Sequence, residues 1–260
     1  MKKFIFLVFT LAQPFLAFNV LGQDEKPTKF EISFGGGLSL PVGSFAKGNP
    51  TESAILDKNV SFTRIIGFSK KKNGFANSGF NYNMSIRYKI FPSLRLLFLS
   101  SKFVNSVKSN SITNYLIQPY NKDQLFEESD YKILIFTPGI AYVYTLNKID
   151  CSFNLYLGYS TAKYPYYKFI LLYTMLDPPP IFGNVASSPD LHAFTFGSSI
   201  SANYKITQNF EIGIDAIYYS TNFPYHMSNG EVPGGSQVFE ISDVLKVKVI
   251  NIGLRLSYSF

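Results

Sequence analysis

The sequence predicts an all-β chain, an eight-stranded antiparallel up-and-down transmembrane β-barrel. Three observations predict it. Eight segments alternate apolar and polar residues with a period of two. The connections between them are short and long by turns. An export signal stands at the N-terminus, and the last segment ends on an aromatic residue. Composition fits. The chain has 260 residues, 17% of them aromatic, 16% charged, with one cysteine and no tryptophan. Its mean hydropathy, +0.07, is too low for several helical spans. So many aromatics exclude a chain that never buries apolar surface. The lone Cys151 excludes a disulfide scaffold or a cysteine zinc site.

Taken in chain order, the first element is the export signal, residues 1–22. Lys2 and Lys3 precede an apolar core from Phe4 to Ala12; Gln13-Pro14 interrupts it, and Gly22 supplies a small residue at the cleavage point. The barrel domain is expected over 24–260. Loss of Lys2 and Lys3 takes the 24 basic residues to 22, against 17 acidic ones, an excess too small and dispersed for nucleic acid.

The first strand runs from Phe30 to Leu40, with Phe30, Ile32, Phe34, Leu38 and Leu40 on one face and Glu31, Ser33, Gly35 and Ser39 on the other. The second, Phe80–Ile90, sets Tyr82, Met84, Ile86 and Tyr88 against Asn81, Asn83, Ser85, Arg87 and Lys89. The third, Leu94–Val107, is apolar on both faces at its start, so the pattern leaves its phase open. The fourth, Lys132–Leu146, alternates cleanly only in its second half. The fifth, Ile149–Thr161, opposes Cys151, Phe153, Leu155 and Leu157 to Asp150, Ser152 and Asn154. The sixth, Leu191–Ile206, opposes Phe194, Phe196, Ile200 and Tyr204 to Thr195, Ser199, Ser201, Asn203 and Lys205. The seventh, Phe210–Ser220, sets Ile212, Ile214 and Tyr218 against Glu211, Gly213 and Asp215. The eighth, Val247–Phe260, sets Ile250, Ile252, Leu254, Leu256 and Tyr258 against Asn251, Gly253, Arg255 and Ser257.

Tight turns at Phe91-Pro92-Ser93, Asn147-Lys148 and Thr207-Gln208-Asn209 alternate with long loops near 41–79, 108–131, 162–190 and 221–246. The short side is periplasmic in such barrels. A sheet in lipid must close, because an open one would leave two unpaired edges where no water can satisfy them. The bulky apolar face is expected to meet lipid, and the Ser-, Gly- and Asn-rich face to fill a narrow lumen. The competing architecture, a secreted lipocalin-like barrel or β-sandwich, would turn the apolar face inward.

The close of the chain, Gly253, Leu256, Tyr258 and the terminal Phe260, resembles the C-terminal signal by which bacterial outer-membrane proteins address the barrel-insertion machinery. Together with Gly22-Gln23, the opening strand Phe30-Glu31-Ile32-Ser33-Phe34-Gly35-Gly36-Gly37 and the loop pattern, it makes 24–260 resemble the PorT-like family of eight-stranded barrels of the Bacteroidota. That resemblance implies residence in the bacterial outer membrane. One member of the family serves a protein-secretion system, and no residue set here carries that role over.

Nine charges are expected to point into the lumen: Glu31, Arg87, Lys89, Arg95, Asp150, Lys205, Glu211, Asp215 and Arg255. In an interior only as wide as its side chains they must pair, since an unpaired buried charge is costly. The expected role is a salt-bridge network that fixes register, with Glu31 and Arg255 as a pair across the closing strands; the competing role is an ion or small-solute path. An enzyme at the outer rim would need a nucleophile and a base. The two histidines, His192 near Asp190 and Ser188, and His226 near Ser228, lack a distinctive motif. No catalytic residue, metal site or cofactor is expected.

Loop one carries Lys70-Lys71-Lys72 and a candidate strand, Val60–Ser69; its excess of basic residues could meet anionic lipopolysaccharide. Loop three carries an apolar stretch, Phe169, Ile170, Leu171, Leu172, Tyr173, Met175 and Leu176, unusual in a polar loop. Packing on the other loops or a protein partner would explain it. The expected function is that of a non-enzymatic envelope component whose partners are outer-membrane lipid, the insertion machinery and envelope or secretion proteins.

Overall fold

The computed structural model describes residues 29–57, 64–117, 124–165, 167–172, 181–186, 189–231 and 238–260. The predicted export signal, 1–22, lies outside the described residues.

In chain order the elements are β1 (Phe30–Pro41), α1 (Pro50–Ser53), β2 (Ala54–Asp57), β3 (Arg64–Phe68), β4 (Ala76–Phe91), β5 (Leu94–Val107), α2 (Ser109–Ile117), β6 (Gln124–Glu128), β7 (Tyr131–Leu146), β8 (Ile149–Lys163), β9 (Tyr167–Leu172), β10 (Ile181–Ala186), β11 (Asp190–Lys205), β12 (Phe210–Glu231) and β13 (Val238–Ser259). Eight of these strands form a closed antiparallel ring, β1-β4-β5-β7-β8-β11-β12-β13, in which β13 pairs again with β1. These eight carry the eight alternating segments of the sequence.

Closure carries a stagger. From Glu31, successive Cα partners are Arg87, Leu97, Gly139, Tyr156, Gly197, Tyr219 and Val249, and the path re-enters β1 at Pro41, ten residues further on. Such a shear tilts strands by roughly 35–45° to the barrel axis. The seam between β1 and β13 is tight. A Cβ on Gly37 would lie 2.0 Å from the Ile252 carbonyl oxygen, so the backbones approach more closely than a side chain allows.

The faces are those of a membrane barrel. Outward-pointing side chains include Phe194, 80% exposed, Phe80, 71%, and Leu254, 63%, whereas Asn154 on the other face is 0% exposed. An apolar belt with a polar interior inverts the arrangement of a soluble barrel and excludes it. The periplasmic turns are tight as expected. Asn147 turns the β7–β8 connection with φ +54°, a conformation that asparagine tolerates.

Two expectations change. The upper, extracellular half of the lumen carries a large apolar cluster beside its polar residues, among them Ser39, Asn105, Ser160, Thr195 and Thr221, rather than a uniformly polar face. Leu97, Leu99 and Phe103 of β5, Tyr131, Ile133 and Ile135 of β7, Tyr219 and Phe223 of β12, and Leu245, Val247 and Val249 of β13 all point inward and are buried. This settles the phase of β5: Leu96 and Phe98 face lipid. Above the lumen the described parts of the long loops form strands and short helices. β2 and β3 pair as a small hairpin within loop one, overlapping the expected strand there. β12 and β13, 22 residues each, run on past the ring. Onto the tip of β12 pairs β10, onto β10 pairs β9, and onto β9 pairs β6. Phe169, Ile170, Leu171 and Leu172 therefore lie in β9, a strand joining loop three to loop two; Tyr173, Met175 and Leu176 lie outside the described residues.

Candidate functional site: a charged lumen under a capped mouth

The lower lumen collects charges because the inward positions of several strands place them in register near the periplasmic end. Glu31 of β1 stands opposite Arg87 of β4, and Arg87 Nη1 donates to Glu31 Oε1 at 3.2 Å. Arg95 of β5 reaches the second oxygen, Oε2. Its other nitrogen, Nη2, donates to Asp150 Oδ2 of β8 at 3.3 Å. Asp150 Oδ1 accepts from Lys205 Nζ of β11 at 2.9 Å. One chain of ions, Arg87–Glu31–Arg95–Asp150–Lys205, thus ties five strands together. Ser33 Oγ adds a 3.1 Å bond to Glu31 Oε1.

The expected pair of Glu31 with Arg255 is not made. The β1–β13 register sets Glu31 opposite Ser259 and Arg255 opposite Gly35, so the two are offset by four residues along the seam. At about 3.3 Å of rise per residue that offset keeps the Arg255 guanidinium out of ion-pair contact with the carboxylate. Arg255 Nη2 instead crosses the lumen to Ser201 Oγ, 2.9 Å, and Asn203 Oδ1, 2.6 Å, on β11. Gly213 leaves the room for this: a Cβ there would fall 2.0 Å from Asn203 Oδ1.

Glu211 and Asp215 point inward and are buried, but neither is in an ion pair among the described residues, and Glu211 Oε2 has no protein partner. Lys89 is only half-buried at the lower end and likewise makes no ion pair among the described residues. Without it the inward charges balance: Arg87, Arg95, Lys205 and Arg255 against Glu31, Asp150, Glu211 and Asp215. A balanced set can neutralise itself in a dry interior, where a net charge would be costly.

Above the ions lies a layer of small hydrogen bonds. The Ser152 and Ser201 hydroxyls are 2.6 Å apart, Asn154 Nδ2 donates to Ser199 Oγ at 2.7 Å, and the Tyr156 hydroxyl lies 2.6 Å from the same oxygen. The apolar layer follows, with the Phe103 and Tyr219 rings stacked at 6.4 Å. Loop one then closes the mouth. Phe45 and Phe75 are fully buried; Phe45 packs edge-on against Tyr131 at 5.0 Å, and the Tyr131 hydroxyl donates to the Gly74 carbonyl oxygen at 2.5 Å. Lys70, 2% exposed, holds its ammonium 5.2 Å from the Phe75 ring centroid and 5.7 Å from that of Tyr131, a cation–π arrangement. Asp243 of β13 anchors the loop: Oδ2 accepts from Ser69 Oγ at 2.8 Å, Lys71 N at 3.3 Å and the Tyr225 hydroxyl at 3.2 Å.

Sequence reasoning missed this cap and the apolar layer. The signal for the layer was present: β5 and the first half of β7 are apolar on both faces because both are buried, one in lipid and one in the lumen. Asp243 left no comparable mark. Its role depends on a contact with Ser69, 174 residues away in the chain.

The two histidines part ways. His192 faces outward on β11 and stacks on Tyr159 at 5.8 Å. His226 stands on the β12–β13 hairpin, where its Nδ1 lies 2.7 Å from Ser242 Oγ and its Nε2 4.0 Å from Glu240; the Ser228 side chain lies outside the described residues. Cys151 faces lipid as expected.

No family model matches the chain, and no curated protein matches it. Solved structures do. The neisserial surface protein A is 10% identical with a TM-score of 0.44, over 89% of this chain and 97% of that one. A major outer membrane protein from Thermus thermophilus is 11% identical with a TM-score of 0.48, over 90% of this chain and all of the other. The outer membrane protein OprG from Pseudomonas aeruginosa is 13% identical with a TM-score of 0.49, over 89% and 97%. Likeness at this level says nothing of activity. The closed ring, the lipid-facing apolar belt and the inward charges are this chain's own, and single-chain barrels of this kind span bacterial outer membranes. The chain is an eight-stranded barrel of the bacterial outer membrane.

Proposed function

We propose that the chain is a non-enzymatic structural and interaction component of the envelope, a sealed barrel that presents an ordered outer surface to a protein assembly such as a secretion system. One observation carries this reading: the inward side chains are buried along the lumen while the described parts of the loops above it form sheet. Ions bind the lower strands, Phe103, Tyr219 and Leu245 fill the upper lumen, and loop one covers the mouth. What the molecule offers to others is its outer surface, where β6, β9 and β10 join the β12–β13 hairpin.

The His226–Ser242 pair fits an interaction surface better than a catalytic one. The His226 side chain is 61% exposed on the hairpin, where water competes for each contact and screens any developing charge. The Gly-rich first strand, the loop pattern and the aromatic close support membership of the PorT-like group of the Bacteroidota. They also support delivery by the barrel-insertion machinery.

Cross-linking pull-down from native envelopes tests the reading. Deletion of 169–176, the apolar stretch of β9 and the residues after it, is expected to remove a specific envelope protein from the cross-linked set while the barrel still inserts. Recovery of the same set with and without the deletion counts against it. Planar-bilayer recording supplies the second arm. The reading expects no unitary conductance; steps that change with Arg87→Gln or Asp215→Asn would move the function to solute passage.

A further inference from the structure

The outer wall carries a cluster of cations where a lipid-facing surface is expected to be apolar. Lys102 of β5 points outward, between the outward residues Ser100 and Val104. Lys132 of β7 and Lys163 of β8 also point outward and are Cα partners, directly opposite one another. Lys102 sits opposite Leu134, two residues along β7 from Lys132, which makes it a diagonal neighbour. Like charges placed directly across a strand pair repel, and no ion pair holds any of these lysines among the described residues. Lys102 holds its Nζ 5.8 Å from the Tyr82 ring centroid. Asp190 faces Lys163, and His192 faces Thr161. These six polar residues, Lys102, Lys132, Lys163, Thr161, Asp190 and His192, line one recess of about 310 Å³.

Position decides what the recess would take. Two residues below Leu134, Thr161 and His192, toward the periplasm, runs a row of apolar side chains in cross-strand register, Phe136, Tyr159 and Phe194. They belong to the aromatic girdle that marks the upper edge of the hydrocarbon. The lysines therefore stand over acyl-chain surface, at headgroup height. A lysine among lipid-facing residues keeps its stem in the apolar layer and lifts its ammonium to the interface. Cross-strand and diagonal neighbours lie roughly 5–8 Å apart, a spacing three flexible amines can close around one phosphate.

We propose that this recess on the β5–β7–β8–β11 wall binds the phosphorylated headgroup of an outer-leaflet glycolipid. Lys102, Lys132 and Lys163 meet the phosphate, Thr161 and His192 offer hydrogen bonds, and the acyl chains lie against Phe136, Tyr159 and Phe194 below. The bound anion relieves the Lys132–Lys163 repulsion, which gives the site selectivity for phosphate over a neutral headgroup. The proposal needs only the outer-membrane setting, not the partner-binding role.

The test is native mass spectrometry of the folded full chain in detergent, titrated with diphosphoryl lipid A. The K132Q/K163Q variant is expected to bind about tenfold more weakly, the loss of a charge-assisted contact. Lys246→Gln, on β13 at the far side of the ring, is expected to bind as the wild type does. Dephosphorylated lipid A is expected to be retained poorly by the wild-type chain, and this comparison holds even if the double variant fails to fold. Equal retention of phosphorylated and dephosphorylated lipid overturns the proposal. So does unchanged binding to a folded K132Q/K163Q barrel. If inorganic pyrophosphate competes fully with the lipid at similar concentration, the ligand is a free anion and the lipid assignment fails.

Discussion

Glu31 takes an arginine on each carboxylate oxygen, so its loss removes the ion pair of buried Arg87 and leaves Arg95 with Asp150 alone. Glu31→Gln is expected to cost about 3–5 kcal/mol, the usual penalty for breaking a buried pair from one side. Urea unfolding followed by heat-modifiable gel mobility would measure it. Charge reversal tests the partners individually. E31R/R87E is expected to recover part of the stability lost in Glu31→Arg, whereas E31R/R255E is expected to recover none, since Arg255 bonds to Ser201 and Asn203 instead. Recovery by the second pair would show that the register assigned to β1 and β13 is wrong. Gly213→Ala acts on the same arginine indirectly. Its Cβ would meet Asn203 Oδ1 and, at 2.5 Å, the Ala202 carbonyl oxygen, and backbone cannot swing aside. A loss of about 1–3 kcal/mol is expected, as for other overpacked sites, read in the same unfolding experiment.

At the scale of elements, the Asp243 carboxylate joins loop one to the β12–β13 hairpin, beside a backbone bond from Val42 N to the Lys248 carbonyl oxygen at 2.9 Å. Asp243→Ala removes three acceptor contacts from Ser69, Lys71 and Tyr225 but touches no ring strand below the mouth. Hydrogen bonds to a charged group contribute about 1.5–3 kcal/mol each. The barrel is expected to stay folded while trypsin cuts at Lys71 and Lys72 at least several times faster; equal cutting rates would mean the cap is held mainly by Phe45 and Phe75. The eight ring strands were legible in the sequence because lipid on one side and a polar lumen on the other impose period two. Where both sides are apolar, as along Leu96–Leu99 and Ile133–Phe136, the alternation fades and the phase with it. The inward charges were legible as a set, since each follows from the phase of its own strand. Their pairing was not. Whether Glu31 meets Arg87 or Arg255 depends on register between strands, which a single strand's pattern does not contain. The outer sheet was hidden for a similar reason: β6 of loop two pairs with β9 of loop three, and β10 of loop three pairs with β12.

At the scale of the whole molecule, the ring closes where its two ends meet. Phe30 and Phe260 exchange backbone hydrogen bonds at 3.2 and 2.9 Å, and their rings stack at 6.0 Å. An aromatic pair of this kind contributes about 0.5–1.5 kcal/mol. Phe260→Ala is therefore expected to leave equilibrium stability nearly unchanged and to fold into phosphatidylcholine vesicles as the wild type does. On the proposed reading, in which the barrel-insertion machinery recognises Phe260, the variant is expected to lower the yield of folded, heat-modifiable barrel in cells. Equal yields in cells would remove the C-terminal residue from that signal.

The length of β12 and β13 has a further consequence. Twenty-two residues of strand, tilted as the shear requires, rise about 55 Å along the barrel axis, and the hydrocarbon takes about 25 Å of that. The outer ends of β12 and β13 therefore stand about 30 Å above the hydrocarbon, among the sugars of the outer leaflet rather than beneath them. An antibody or phage fibre too bulky to reach the membrane surface would still meet this protein, and would meet the hairpin and its attached sheet first.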